Sequence, residues 1–241
     1  MAVDLIDRVA GLFRFRAVAT ERVDGDMHPT RVQSDVLHAR QHSVTGSRWT
    51  MADQVHGRDV HFSCGSVVAA DAWPLAGIAD VIVSKPMGQP IAIWAADCAS
   101  IVLFGTTGLV VAAHAGWRGL AAGVVDAAVD AVIDADDSVA VAVIGPMVHP
   151  CCYEFTFDDI RLVASGVRCP PAAITALTTD GHLALDAPAA VRAALAGRGI
   201  AAAVLGGCTG CNDRWFSHRA RIEPGRHAVV AWAESHDRVT P

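Results

Sequence analysis

Three short stretches of the chain hold the residue types that bind metal ions and move protons: Gln54-Val55-His56-Gly57, Ala96-Asp97-Cys98 and Ala113-His114-Ala115-Gly116-Trp117-Arg118-Gly119. Between them they offer two histidines and one cysteine, with Cys98 42 positions after His56 and 16 before His114. Two imidazoles and a thiolate suit a zinc ion that keeps one coordination position open for water or substrate. Arg118 follows in a glycine-flanked turn that leads into an apolar-periodic segment. A guanidinium beside a helix start suits phosphate or carboxylate.

Each stretch also has a plainer reading. A buried cysteine is most often a small inert hydrophobe, a loop histidine is most often solvated, and Gly-Trp-Arg-Gly alone would pass for an ordinary turn. Their co-occurrence favours chemistry. Zinc would deprotonate the Cys98 thiol, and Asp97 would orient a ligand histidine or serve as general base. A second chemistry uses the same residues: Cys98 and His114 as a nucleophile pair. Both stay open at this point.

Two further stretches follow. Gly145-Pro146-Met147-Val148-His149-Pro150-Cys151-Cys152-Tyr153-Glu154 holds the chain's single tyrosine and reads as a rigid turn forming a pocket wall. Cys208-Thr209-Gly210-Cys211 is a lone CxxC. A structural zinc site needs two more ligands, and only His218 lies close in sequence, so neither a metal nor a redox role is expected there. Arg219 and Arg221, with His218, are candidates for binding an anion. His28, His38, His42, His61, His149, His182, His227 and His236 are expected to be packed or solvated.

The elements that must position these groups are short. Val60–Phe62, Val81–Val83, Ile91–Ala95, Ile101–Phe104, Val110–Ala113 and Val139–Ile144 read as strands. Several are apolar throughout, which places them in a sheet covered on both faces, with helices as the expected cover. A helix is expected from Leu120 to Ala135, where Ala121, Val124, Val125, Ala128, Val129, Val132 and Ile133 make an apolar stripe opposite Asp126, Asp130 and Asp134. Others are expected over Ala187–Ala196 and Phe157–Ser165. Residues 20–50 are polar and give no clear pattern. The mixture lacks strict βα alternation, which predicts a layered α+β fold.

The chain has 241 residues, 52% hydrophobic and 18% charged, with net charge −6 and Lys85 as its only lysine. That fits one domain, residues 1–241, with a large core. It argues against nucleic acid as a partner. No apolar run reaches membrane-spanning length, and acids occupy the place of a signal peptide's basic region. Seven cysteines then read as reduced thiols in a cytoplasmic protein.

Taken in order, QVHG at Gln54–Gly57, ADC at Ala96–Cys98, AHAGWRG at Ala113–Gly119, the GP…CCYE stretch at Gly145–Glu154 and CT…CN…FSHR at Cys208–Arg219 resemble the YfiH-like, or laccase-domain, family. The resemblance implies a single-domain α/β/β/α sandwich and a zinc ion bound by His56, Cys98 and His114. It also implies phosphorolysis of adenosine, inosine or methylthioadenosine to the free base and ribose 1-phosphate or methylthioribose 1-phosphate, and deamination of adenosine. The candidate catalytic groups are Asp97 and Arg118, and the candidate substrate contacts are Gln54, Cys152, Tyr153 and Arg219. The expected partners are a purine nucleoside and phosphate, with the chain a monomer or homodimer. Two features depart from the family pattern. The Ser-Leu-Asn-Leu-Gly-like stretch usual near the N-terminus has no counterpart in Thr20–Arg40, and the paired arginines after the final FS motif are split as Arg219-Ala220-Arg221.

Two alternatives accompany this reading. One is a hydrolase that edits peptidoglycan precursors with Cys98 as nucleophile. The other is copper-dependent polyphenol oxidation. Cu²⁺ binds such ligands more tightly than Zn²⁺, but eleven histidines without a His-x-His pair do not make a multicopper centre.

Overall fold

The computed structural model describes residues 2–63 and 75–236. In chain order its strands are β1 (Val3–Ala10), β2 (Phe13–Ala19), β3 (Met51–Asp53), β4 (Val60–Ser63), β5 (Leu75–Ile78), β6 (Val81–Ser84), β7 (Ile91–Ala95), β8 (Ala99–Gly105), β9 (Val110–Ala115), β10 (Val139–Ile144), β11 (Thr175–Leu177), β12 (Leu183–Leu185), β13 (Ala203–Val204) and β14 (His227–Ser235). Its helices are α1 (Ser34–Thr45), α2 (Trp117–Ala122), α3 (Val124–Ile133), α4 (Phe157–Gly166), α5 (Ala187–Ala196) and α6 (His218–Arg221). Among these residues no helix is long and apolar enough to cross a membrane.

Two sheets stack face to face. One has four strands in the order β1-β2-β14-β7, the other six in the order β13-β10-β8-β9-β6-β4. Side-chain alternation explains the stacking. Along β8, Ile101 and Leu103 point to the helices, while Val102 and Phe104 point to the other sheet. Along β14, Val229 and Ala231 face the six-stranded sheet, while Ala228 and Val230 face outward beneath α1 and Trp49. Phe15 of β2 stacks on Phe104 of β8 between the sheets, ring centroids 4.9 Å apart, a contact worth about 1 kcal/mol beyond its buried area. Helices α2 to α5 cover the far face of the six-stranded sheet. The layers therefore run α/β/β/α, and the apolar strands are covered on one side by helices and on the other by a second sheet.

The strands predicted from the sequence form, as do α4 and α5, each with a capping side chain. Thr156 Oγ1 accepts the Asp159 N–H at 3.2 Å and Asp186 Oδ1 accepts the Ala189 N–H at 2.8 Å. The predicted helix over Leu120–Ala135 differs. It begins earlier, at Trp117, and is broken at Gly123, whose φ of 85° ends α2 and starts α3 in a new direction. The apolar stripe runs across the break, so periodicity alone reads one helix. Residues 34–45 form α1, which buries only Leu37 and Gln41 and so has no apolar stripe to read.

This topology gathers the motifs. Strand β7 belongs to the four-stranded sheet and β8 to the six-stranded one, so Ala96-Asp97-Cys98 is the corner where the chain changes sheets. His114 lies near the end of β9, opposite Ser100 of β8. His56 lies in the loop from β3 to β4.

Candidate metal centre and cleft

At the sheet-switching corner the ligand atoms of His56, Cys98 and His114 come within 4.8 Å of one another. Cys98 Sγ lies 3.8 Å from His56 Nε2, and the two imidazoles meet edge to face at 4.8 Å between centroids. His56 and Asp97 both have left-handed backbones, with φ of 62° and 99°. Non-glycine residues adopt that region at a cost, which is commonly held at functional sites.

The carboxylate that orders these ligands is Asp80, which the sequence did not single out. It is fully buried. His114 Nδ1–H donates to its Oδ1 at 2.8 Å, which leaves Nε2 for a metal. The backbone N–H groups of His56 and Gly57 donate to the same carboxylate at 3.0 and 2.7 Å, and that of Val55 at 3.2 Å. One buried acid thus fixes one ligand through its ring and the other through its loop. Burial opposes its ionisation, but the His114 hydrogen bond and these N–H groups outweigh that and hold it below the usual carboxylate range.

The electrostatics of the cluster run the same way. Burial pushes the Cys98 thiol up, but the charge and hydrogen bond of His114, with help from His56, bring it down to about 6. Burial pushes His114 down, but Cys98 and Asp80 raise it to about 9. The residues fit a metal: three donors converge, the sulfur favours its thiolate form, and the space is kept clear. A Cβ on Gly116 would stand 2.5 Å from His56 Cδ2 and 3.0 Å from Cys98 Sγ.

The cluster opens into a cleft of about 690 Å³, within the range of small-molecule sites. His28, Trp94, Trp117 and Tyr153 give it aromatic walls, and Arg118, Arg219 and Arg226 reach it. His28, expected to be packed or solvated, lines the cleft against Trp94, ring centroids 4.5 Å apart. Thus His28, from the stretch 20–50 that shows no clear sequence pattern, reaches the cleft. Tyr153 is buried, and burial together with the nearby Cys98 charge keeps its hydroxyl protonated well above the usual phenol range. The Arg219 guanidinium lies over its ring at 5.1 Å, and that of Arg118 lies over Trp117 at 4.2 Å.

Other predicted site residues are engaged elsewhere. Asp97 lines the cleft, but Thr209 Oγ1 and Ser217 Oγ donate to its Oδ1 at 2.6 and 2.7 Å, and the Arg219 N–H to its Oδ2 at 2.6 Å. The orientation of a ligand histidine falls to Asp80 instead. Gln54 uses its amide on the backbone of Trp94, donating to the carbonyl at 2.7 Å and accepting the N–H at 3.1 Å. The Cys152 sulfur lies against Cys211 at 3.4 Å and does not line the cleft. Arg221 donates to the carbonyls of Gly210, Thr209 and Trp215.

A family model described as multi-copper polyphenol oxidoreductase laccase matches residues 16–234. The chain is 37% identical over 205 residues to a Streptomyces coelicolor purine nucleoside phosphorylase, covering 82% of this chain and 80% of that protein. It is 33% identical over 184 residues to the Escherichia coli purine nucleoside phosphorylase YfiH, covering 75% and 72%. The fold superposes on the crystal structure of YlmD from Geobacillus stearothermophilus with a TM-score of 0.76 at 24% identity, covering 95% of this chain and 98% of that one. A YfiH protein of Bacillus licheniformis gives 0.74 at 22%, covering 94% and 98%.

Proposed function

The chain belongs to the laccase-domain, or YfiH-like, family, and on that premise we propose that it is a purine nucleoside phosphorylase. It would release free base from adenosine, inosine or methylthioadenosine with phosphate as acceptor, and would also deaminate adenosine. The observation that carries the reading is the convergence of His56, Cys98 and His114 at the floor of an aromatic, arginine-bearing cleft. The relatives' names supply the substrate class.

Zinc is the ion proposed for these three ligands; when bound it supplies Lewis acidity and a lowered pKa for a bound water. The rest is done by side chains. Trp94, Trp117 and His28 offer ring faces and edges for a purine. Arg118 and Arg219 are placed to bind the anionic phosphate, since guanidinium forks match its geometry. Tyr153 lines the cleft and keeps its proton at neutral pH, so it would donate a hydrogen bond as the purine nitrogen gains charge. Asp97, with its oxygens occupied, positions the Arg219 backbone at the cleft rim.

One observation favours a second reading. The Cys98 thiol and the His114 imidazole hydrogen-bond to each other and each favours the other's charged form, the pairing that a thiol hydrolase uses. The multicopper reading has no such support: among the described residues, the groups able to hold a metal contain only His56 and His114 as histidines.

Incubating metal-analysed protein with adenosine, with and without phosphate, separates these readings. Phosphate-dependent adenine is the expected product, with phosphate-independent inosine from deamination. Both should stop on chelation. A metal-loaded enzyme that leaves adenosine unchanged with and without phosphate overturns the proposal, and hydrolysis that survives chelation but not alkylation points to the thiol reading.

A further inference from the structure

We infer that Cys151, Cys152, Cys208 and Cys211 form a second metal centre, a four-thiolate zinc site that ties two cleft-forming loops together. Along the sequence only His218 lies near the CxxC, too few ligands for a zinc site. The fold provides them from the other loop: all four sulfurs lie within 4.8 Å of one another. Cys151 Sγ is 3.5 Å from Cys208 Sγ and 3.3 Å from Cys211 Sγ, and Cys152 Sγ is 3.4 Å from Cys211 Sγ. Tetrahedral zinc with bonds of about 2.3 Å sets its sulfurs about 3.8 Å apart, so little movement would centre an ion. The four are free thiols.

Independent features of the two loops suit this use. The N–H of His149 points at Cys208 Sγ at 3.4 Å, and those of Gly210 and Cys211 also bond to that sulfur. Backbone N–H groups turned onto a CxxC sulfur support it as a thiolate ligand. Gly210 is required there, because a Cβ would fall 2.8 Å from Cys152 Sγ and 2.7 Å from Cys152 Cβ. Adjacent cysteines converge because Pro150–Cys152 is a tight 3-10 turn, and a parallel bridge from Met147 to Cys208 fixes the facing loop.

The consequence reaches the cleft. Cys152 precedes Tyr153, and Thr209, within the CxxC, donates to Asp97. An ion on the four sulfurs would hold the tyrosine and the Asp97–Arg219 anchor in one frame. Its role is structural, since four protein ligands leave zinc no open position.

The test is zinc analysis of reduced protein supplied with excess zinc and then desalted. The wild-type chain should hold two equivalents. His56→Ala/His114→Ala should retain one, and Cys151→Ser/Cys211→Ser should also retain one. If the serine variant fails to fold, wild-type protein still decides. Mass-spectrometric mapping of alkylation should show all four cysteines protected by zinc and exposed by a chelator. A His56→Ala/His114→Ala protein that is folded and zinc-free overturns the inference, as does equal alkylation with and without zinc. Neither readout depends on nucleoside turnover, so this site and the proposed activity stand or fall separately.

Discussion

Asp80 holds His114 twice: its backbone carbonyl accepts the His114 N–H at 2.7 Å, and its carboxylate accepts the imidazole Nδ1–H at 2.8 Å. The first contact adjoins the β6–β9 ladder and the second orients the imidazole of a candidate metal ligand, so one residue touches both the strand pairing and the proposed metal geometry. Asp80→Asn keeps the size of the side chain and removes its charge. Loss of such a partner usually costs 10–100-fold in metal affinity. We expect a decrease of about that size in competition with a chromophoric chelator. Unchanged affinity in a folded variant would show that Asp80 serves only the fold.

Gly116 tests the site from the steric side. Its φ of −69° and ψ of 165° suit alanine, so Gly116→Ala carries no backbone strain. The nearest atoms to the added methyl are those of the His56 ring and the Cys98 sulfur. The expected result is a Tm within a few degrees of wild type, with metal content and activity both sharply reduced. A fully metallated, active Gly116→Ala protein would mean that the three ligands do not converge as described.

These two residues also mark what the sequence could and could not reveal. That His56, Cys98 and His114 belong together was legible because His and Cys are the side chains that most often bind metals and these three stand in telling company, and the fold brings their ligand atoms within 4.8 Å. The strands were legible because continuous Val and Ile runs need cover on both faces. Asp80 was not: it is one acid among many until β6 pairs with β9. The break at Gly123 hid inside an unbroken apolar stripe, and α1 has no stripe at all. Cys151 and Cys152 join Cys208 and Cys211 only through a contact between loops more than fifty residues apart, as the separations of 57 and 60 show. Spacing finds ligands that are close in sequence, whereas these are close only in the fold.

His227 gives the protein an acid-sensitive core. It is fully buried beside Trp215, and burial pushes its pKa down from 6.5 to about 4. The unfolded chain takes up a proton below about pH 6.5, whereas the native chain does so only near pH 4. Stability therefore falls as pH drops through that window, by about 3 kcal/mol, and this contribution is flat outside it. His227→Phe keeps an aromatic ring against Trp215 and removes the titration. Denaturant unfolding at pH 7 and pH 4.5 should show a smaller loss in the variant, and equal losses would assign the acid sensitivity to other groups.

Arg219 and Arg221 separate binding from architecture. Arg219 is anchored through its backbone to Asp97, which leaves its guanidinium over Tyr153 at the cleft. Arg221 spends its guanidinium on three backbone carbonyls and on Glu223, holding the CxxC loop in place. If the phosphate reading is right, Arg219→Met removes a charge-assisted contact worth about 1.5–3 kcal/mol. That should raise the KM for phosphate roughly 10–100-fold, with a smaller change for adenosine and little change in Tm. Arg221→Met should do the reverse, lowering Tm while the phosphate KM of the folded fraction stays near wild type. Steady-state kinetics with phosphate varied at saturating adenosine, alongside thermal unfolding of both variants, makes the comparison. An Arg219→Met enzyme with an unaltered phosphate KM would remove this arginine from the anion site and leave Arg118 to carry it.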